Sequence, residues 1–274
     1  MTPSCYGPAD PALSLVVERN TAESFTAEAV VPGVEVHADR DVTWVVHPGH
    51  VWRNAGVMVR FSDKTAADRL DMMVDRYRRH RRGMGLWISP AATPPDLTGL
   101  LHSRRMRCRK HFPAMVRTLS DPVTPTRGPS GLTIRKVRDL DEFASTPHPA
   151  IGPPTTTLRR AALVRLRALV TASSQQIMPF VAYLKGEPVG ASELFIGSGR
   201  VAGLIGFSVL DEYRGRGIGA ALLEHTCHEA SSHGATIMAL IATSEGERLY
   251  TRRGFVEVGR FGYWYRSFQR RVSA

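Results

Sequence analysis

Lysine is almost missing from this chain. Four lysines (Lys64, Lys110, Lys136 and Lys185) stand against 32 arginines in 274 residues. Cysteine is scarce as well. Cys5, Cys108 and Cys227 lie far apart, with no CxxC pair and no zinc spacing. That excludes a disulfide framework and a structural zinc site, and it fits a reducing, cytoplasmic location. No uncharged apolar run approaches the roughly 18 residues a membrane span needs. The longest, Val201–Leu210, is strand-sized, so no membrane partner is expected. The opening residues, MTPSCYGPAD, have neither the basic start nor the apolar core of a secretory signal. Apolar residues are not short, at 43%, and that excludes global disorder.

Positive charge is what the chain has in excess, with a formal net of +11. Before residue 129 there are 18 Lys/Arg and 13 Asp/Glu, and after it 18 and 12. The charge is spread rather than gathered in a tail, which weakens the case for nucleic acid and leaves a phosphate-bearing or acidic small molecule. The densest run, Arg76–Arg82 (RYRRHRR), has a structural explanation. Ala66, Leu70, Met73 and Tyr77 repeat at helical spacing, predicting a helix over Thr65–Arg82. Its aspartates sit early and its arginines late, which complements the helix dipole.

The breaker-rich stretch Ser120–Gly131 divides the chain into 1–128 and 129–274. A second such stretch, Ser145–Thr157, reads as a loop inside the second half. The first half is predicted as α+β: a helix over Leu13–Ala29, strands at Val34–Ala38, Thr43–Val46, Gly56–Phe61 and Leu86–Ser89, and a short helix over Asp96–Ser103. The second half alternates. Strands are predicted at Leu132–Val137, Met178–Lys185, Pro188–Ile196, Val201–Leu210, Thr236–Ala242, Phe255–Gly259 and Gly262–Phe268. Helices fall over Leu158–Ser173, Ile218–His233 and Ser244–Arg253.

The chemistry is concentrated in Val201–Gly219, VAGLIGFSVLDEYRGRGIG. A buried strand runs into Arg214-Gly215-Arg216-Gly217-Ile218-Gly219, and a helix opens at once. Glycines let the backbone approach a ligand closely, and the free N–H groups of a helix start favour an anion such as pyrophosphate. Arg214 and Arg216 could add charge-assisted bonds. A Rossmann fingerprint has other glycine spacing, and a phosphate loop ending in Gly-Lys-Ser/Thr is absent.

This RxxGxG run resembles the acetyl-CoA pyrophosphate loop of the GNAT superfamily of N-acetyltransferases. Thr243–Phe255, TSEGERLYTRRGF, resembles the closing L-Y-x-x-x-G-F motif of the same family. The resemblance covers about residues 129–274. It implies an α+β fold with a mixed, mostly antiparallel sheet flanked by helices, acetyl-CoA as acyl donor, no metal, and an amine acceptor. Backbone groups near Phe207, Ser208 and Val209 would hold the pantetheine arm. The amides of Arg214, Gly215, Arg216, Gly217, Ile218, Gly219 and Ala220 would hold the pyrophosphate. Tyr250 would be the general acid that protonates the leaving thiolate. Thr243 stands where many members carry asparagine, and Gly246 where they carry alanine.

The general base is less defined. Val201–Leu210 contains no acidic residue, so Glu193 on the preceding strand, His148, or a chain of waters remain open. His225 and His228 with Glu224 and Glu229 have mixed spacing and read as a solvated helix face. Cys227 stands beside no evident base.

Gly83–Leu119 can be laid beside Gly234–Phe268. Leu100 then falls on Leu249, Leu101 on Tyr250, Arg105 on Gly254 and Met106 on Phe255. The helix over Thr65–Arg82 falls on that over Ile218–His233. The first half thus resembles a degenerate copy, two GNAT-like domains in tandem, whose Val59–Thr65 has no glycine and so should not bind acetyl-CoA. The activity implied is transfer of an acetyl group to a primary amine of a small molecule or peptide. The alternatives are a non-catalytic CoA sensor and an RNA- or ribosome-directed acetyltransferase, the latter prompted by Arg76–Arg82 and Arg104–Lys110. A homodimer is a further expectation.

Overall fold

A computed structural model describes residues 10–48, 53–119, 126–137, 156–172 and 176–268. Cys5, His148 and most of Ser145–Thr157 lie outside them. The chain forms two compact units. One takes Met1–Ala29, Gly33–Ala114 and Glu257–Ala274; the other takes Val30–Pro32 and Met115–Val256. No helix among the described residues is long and apolar enough to cross a membrane.

The first unit opens with α1 (Pro11–Thr26), started by Asp10, whose carboxylate accepts from the Ala12 and Leu13 N–H groups at 3.0 Å. Strands β1 (Glu35–Ala38), β2 (Thr43–Val46), β3 (Ala55–Val57) and β4 (Met84–Ile88) follow, with α2 (Ala66–Arg79) crossing between the last two. Helix α3 (Leu97–Ser103) leads to β5 (Arg107–Thr118), and the final strand, β11 (Val256–Arg266), adds on. The order within this unit is β1-β2-β3-β4-β11-β5. Ala66, Leu70, Met73, Val74 and Tyr77 bury one face of α2, and the Tyr77 hydroxyl donates to Val45 O at 2.6 Å.

The expected strand Gly56–Phe61 is cut to three residues because Met58 adopts a left-handed φ of 58°. Past the parallel pairs Ala55↔Gly85 and Gly56↔Leu86, polar groups tie β3 to the segment after β4. Thr93 N donates to Val59 O at 3.2 Å. Glu18, 1% exposed on α1, pairs with Arg60 and accepts from the Ser89 hydroxyl at 2.8 Å.

The second unit contains β6 (Leu132–Lys136), α4 (Thr156–Ala172), β7 (Ile177–Leu184), β8 (Glu187–Ile196), β9 (Val201–Val209), α5 (Ile218–Ser232), β10 (Ile237–Ile241) and α6 (Ser244–Arg252). Its strand order is β10-β9-β8-β7-β6, and the end of β5 flanks β10, where Leu119 N donates to Thr236 O at 2.8 Å. All pairs are antiparallel except β9–β10, as a crossover through α5 requires. Met178, Phe180, Leu194, Leu222, Leu223 and Met238 form its core.

Matching turns recur in the two units. After α5, Gly234 N donates to Ser231 O and Ala235 N to Ala230 O; after α2, Arg81 N donates to Arg78 O and Arg82 N to Tyr77 O. After α6, Gly254 N donates to Thr251 O and Phe255 N to Tyr250 O; after α3, Arg105 N donates to His102 O and Met106 N to Leu101 O. The turning residue has positive φ each time: 82° at Gly234, 79° at Gly254, 52° at Arg81 and 58° at Arg105. A side chain there costs about 1 kcal/mol or more.

Glu18→Ala should destabilise the first unit by about 3 kcal/mol, the low end for breaking a buried pair, because Arg60 keeps some water. Urea unfolding at neutral pH measures it. A loss below about 1 kcal/mol would mean that the pair contributes nothing net.

Candidate active site

The second unit has an opening where its two parallel strands part. β9 and β10 pair at Val201↔Ile237, Ala202↔Met238 and Gly203↔Ala239, and no further, although β9 continues to Val209. On the other edge β9 bulges: Ala191↔Ser208 and Glu193↔Ile205 leave Gly206 and Phe207 opposite the single residue Ser192. Gly206 has φ +60°. A bulge bends its strand and increases its twist, and that carries β9 away from β10. Ile205, Gly206, Phe207 and Ser208 are half-exposed along the parting. The Ser208 Oγ is buried and has no hydrogen-bond partner among the described residues.

The loop after β9 begins with a short 3-10 turn, Asp211–Tyr213. Gly215 (φ +76°) and Gly217 (φ +82°) follow, and a Cβ on either would meet nothing within 4 Å. Gly217 caps α5, whose first helical bond runs from Ala221 N to Gly217 O. The amides of Ile218, Gly219 and Ala220 are thus left without intrahelical acceptors. Ile218 and Ala220 bury their side chains, so they offer only backbone. Arg214 bonds Val209 O (3.3 Å), Asp211 (2.9 Å) and Glu245 (3.3 Å). Arg216 donates to Glu212 O (3.0 Å) and lies over Tyr213 (5.2 Å). These exposed pairs are weak, so both guanidiniums can exchange partners for an arriving anion.

Tyr250 lies on α6, 7% exposed, edge-on to Phe207 at 6.0 Å and tilted against Phe255 at 5.6 Å. Its hydroxyl takes no protein partner among the described residues. Burial, and then the Cys227 thiol nearby, raise its pKa well above the ordinary phenol value, so it is a protonated donor at neutral pH. Gly246, one turn earlier, lies under the ring, and a Cβ there would come 2.7 Å from Tyr250 Cε2. Thr243 caps the helix by accepting from Gly246 N at 3.2 Å.

Glu193 does not lie at an exposed edge. It is 8% exposed and bonds Arg165 of α4 at 3.0 Å. Its neighbour Ser192 faces the other way, its hydroxyl 2.9 Å from that of Thr226 on α5. The Cβ missing from Gly206 would lie 3.4 Å from Glu193 Oε1, so this carboxylate backs the bulge that parts the strands. Arg165 had no signal in the sequence beyond its place on a helix. The structure therefore brings Phe207, Ser208, Val209, the 214–220 loop, Tyr250 and Thr243 around one opening, with Glu193 behind it.

Cys227 is fully buried, and desolvation pushes its thiol up to about 12 despite Arg117 Nη1 at 4.0 Å. It is no nucleophile at neutral pH. His225 packs edge-on to Phe180 at 5.2 Å. Among the described residues, no three His, Cys, Asp or Glu side chains are grouped to hold a metal.

The second unit is thus a mixed sheet whose two parallel strands part above a glycine loop that caps a helix. Residues 140–255 match the model of the acetyltransferase (GNAT) family. The chain is similar over its length to solved GNAT structures. A GCN5-related N-acetyltransferase from Kribbella flavida is 16% identical, with 91% of this chain and 95% of that one covered and a TM-score of 0.67. A tandem GNAT protein from the clavulanic acid biosynthesis pathway is 12% identical, covering 97% and 98% at a TM-score of 0.62. A GCN5-related N-acetyltransferase from Sphaerobacter thermophilus is 18% identical, covering 98% and 97% at a TM-score of 0.58. At these identities the likeness establishes the fold. No curated protein matches the sequence.

Glycine to alanine within a helix ordinarily stabilises by about 1 kcal/mol. Gly246→Ala should do the opposite, lowering stability by about 1–3 kcal/mol as the Cβ displaces the Tyr250 ring. Thermal unfolding gives the sign. The Cys227 thiol generates a second expectation. An unfolded thiol ionises near 8.5, the folded one only at about 12, so this group erodes stability as pH rises through that window. Urea unfolding from pH 7 to pH 11 should show a shallower decline for Cys227→Val than for the native chain.

Proposed function

We propose that the second unit is an acetyl-CoA-dependent N-acetyltransferase acting on a primary amine of a small molecule or peptide. The observation that carries this reading is the parting of β9 from β10 between the anion loop and Tyr250. It exposes β9 backbone and an unpartnered Ser208 hydroxyl, and its walls lie within the residues that match the GNAT family model. Residues 207–209 would bond the pantetheine arm, and the amides from Arg214 to Ala220 the pyrophosphate, assisted by both arginines. In a ternary complex the neutral amine attacks the thioester carbonyl. The C–N bond forms as the C–S bond breaks, and the departing thiolate takes the Tyr250 proton. The amine's surplus proton leaves to Glu193 through water, or to water alone.

The first unit is proposed not to bind acetyl-CoA. In the place that corresponds to the opening, Thr93 bonds Val59, and Glu18 joins Arg60 to Ser89. Its loop has hydroxyl groups 2.8 Å apart at Ser62 and Thr65 in place of glycines.

A screen of amine acceptors with acetyl-CoA, following thiol release, tests the reading. Tyr250→Phe should lower kcat about a hundredfold or more while acetyl-CoA affinity, measured by calorimetry, stays within about twofold. Normal turnover in that variant sinks the acid assignment. Absence of acetyl-CoA binding to the native chain sinks the function.

A further inference from the structure

Two basic runs, each explicable alone, meet at one corner of the first unit. One ends α2 with Arg76, Arg78, Arg79, Arg81 and Arg82; the other follows α3 with Arg104, Arg105 and Arg107. Arg266 at the end of β11 joins them. It pairs in register with Met84, and its Nη1 donates to Arg104 O at 2.6 Å. Phe268 lies between the runs, with the Arg266 guanidinium 4.7 Å and the Arg78 guanidinium 5.8 Å from its ring. Burial first, then the like charges of Arg78 and Arg105, draw the Arg266 pKa downward.

Few carboxylates answer this charge. Asp71 pairs with Arg104, Asp75 with Arg78, and Glu35 with Arg76. Arg81, Arg82, Arg105 and Arg107 have no acidic partner among the described residues. The helix dipole accounts for cations near the end of α2, but not for those after α3, nor for the crowding around Arg266.

The backbone supplies an independent observation. Arg81 and Arg105 occupy left-handed turns whose counterparts in the second unit, with the same hydrogen bonds, are Gly234 and Gly254. Glycine enters that conformation freely, and arginine is strained in it. The first unit has arginine at both turns, and both turns present it at this corner. Strain that a simple substitution would relieve points to a use for the side chains.

We infer that this corner binds the phosphodiester backbone of a single-stranded nucleic acid. Guanidinium forks match phosphate oxygens, and cations interleaved with an aromatic ring are the usual surface for a flexible strand. A duplex is a poorer fit, since the corner is built of turns and offers no helix or ribbon to enter a groove. A membrane is a poorer fit too. Among the large apolar side chains exposed in the described residues, these elements contribute only Met72 on α2 and Val256, which lies at the opposite end of β11 from Arg266. The inference stands apart from acetyl transfer.

The test uses the full chain with labelled oligouridine and oligothymidine, read by fluorescence anisotropy over about 50–300 mM salt. Arg81→Gly with Arg105→Gly should retain or raise the Tm. It should weaken binding of both strands about tenfold at low salt, and lower the slope of log Kd against log salt by about 1.4. Arg19→Ser with Arg40→Ser, the same charge loss on exposed residues elsewhere in the unit, should change affinity less than twofold. Equal loss in both variants means that net charge alone is responsible, and the proposal fails. It fails equally if the glycine variant binds as tightly as the native chain. Tighter binding to duplex DNA, to an acidic peptide or to anionic vesicles than to either single strand also overturns it.

Discussion

One left-handed residue, Gly206, governs the second unit. Because the chain turns there, β9 has one more residue than β8 across the bulge, and the strand swings off β10 after Gly203. The lining of the parting follows from that departure. Phe207 comes to rest against Tyr250, Ser208 is left with an unanswered hydroxyl, and the strand delivers the chain to the glycine loop that caps α5. A side chain at this position would be strained, and would press on Glu193 as well.

The first unit shows how little is needed to undo such an opening. It has the same parallel pair, the same crossing helix, and even a left-handed residue, Met58, just past the last pair. It lacks the glycines of the loop, and it adds three polar links: a backbone bond from Thr93, a buried carboxylate from α1, and the Ser89 hydroxyl. Each link is modest alone. Together they occupy polar groups at the place that corresponds to the parting of β9 from β10. Leucine at 101, where the second unit has Tyr250, is then an ordinary core residue, 0% exposed.

The elements of the second unit were legible because their signals are local. Alternation, glycines and helical spacing set β7 to α6 to within a residue or two. The RxxGxG and L-Y-x-x-x-G-F motifs placed Tyr250 and the loop because both are contiguous in sequence. The side of the sheet taken by Glu193 was not legible, since a bulge one strand away sets it. Its partner Arg165 was hidden for the same reason, lying 28 residues upstream on another element. β5 went unseen because RCRKHFPAMVRT carries five cationic or imidazole side chains and a proline, so pairing rather than pattern makes it a strand. Phe255–Gly259 and Gly262–Phe268 read as two strands because glycines flank the join, yet the backbone at Gly259 stays extended and β11 runs through.

The Glu193–Arg165 pair bears on what kind of site this is. Two charges this deeply buried lose several kcal/mol of hydration each, and their attraction seldom repays it; apolar side chains of like volume often serve stability as well or better. Stability is therefore a poor explanation for a carboxylate at this point of β8. Its position is more informative. Ser192 and Thr226 bond on one side of the sheet while Glu193 and Arg165 bond on the other, and the glycine that parts the strands leaves the carboxylate oxygen beside the opening. The Arg165 guanidinium fixes the orientation of that carboxylate against the bulge. Under the proposed acetyl transfer, the folding cost of the pair would be offset by a fixed orientation of the group that receives the amine's proton, the property on which a reaction between two bound molecules depends.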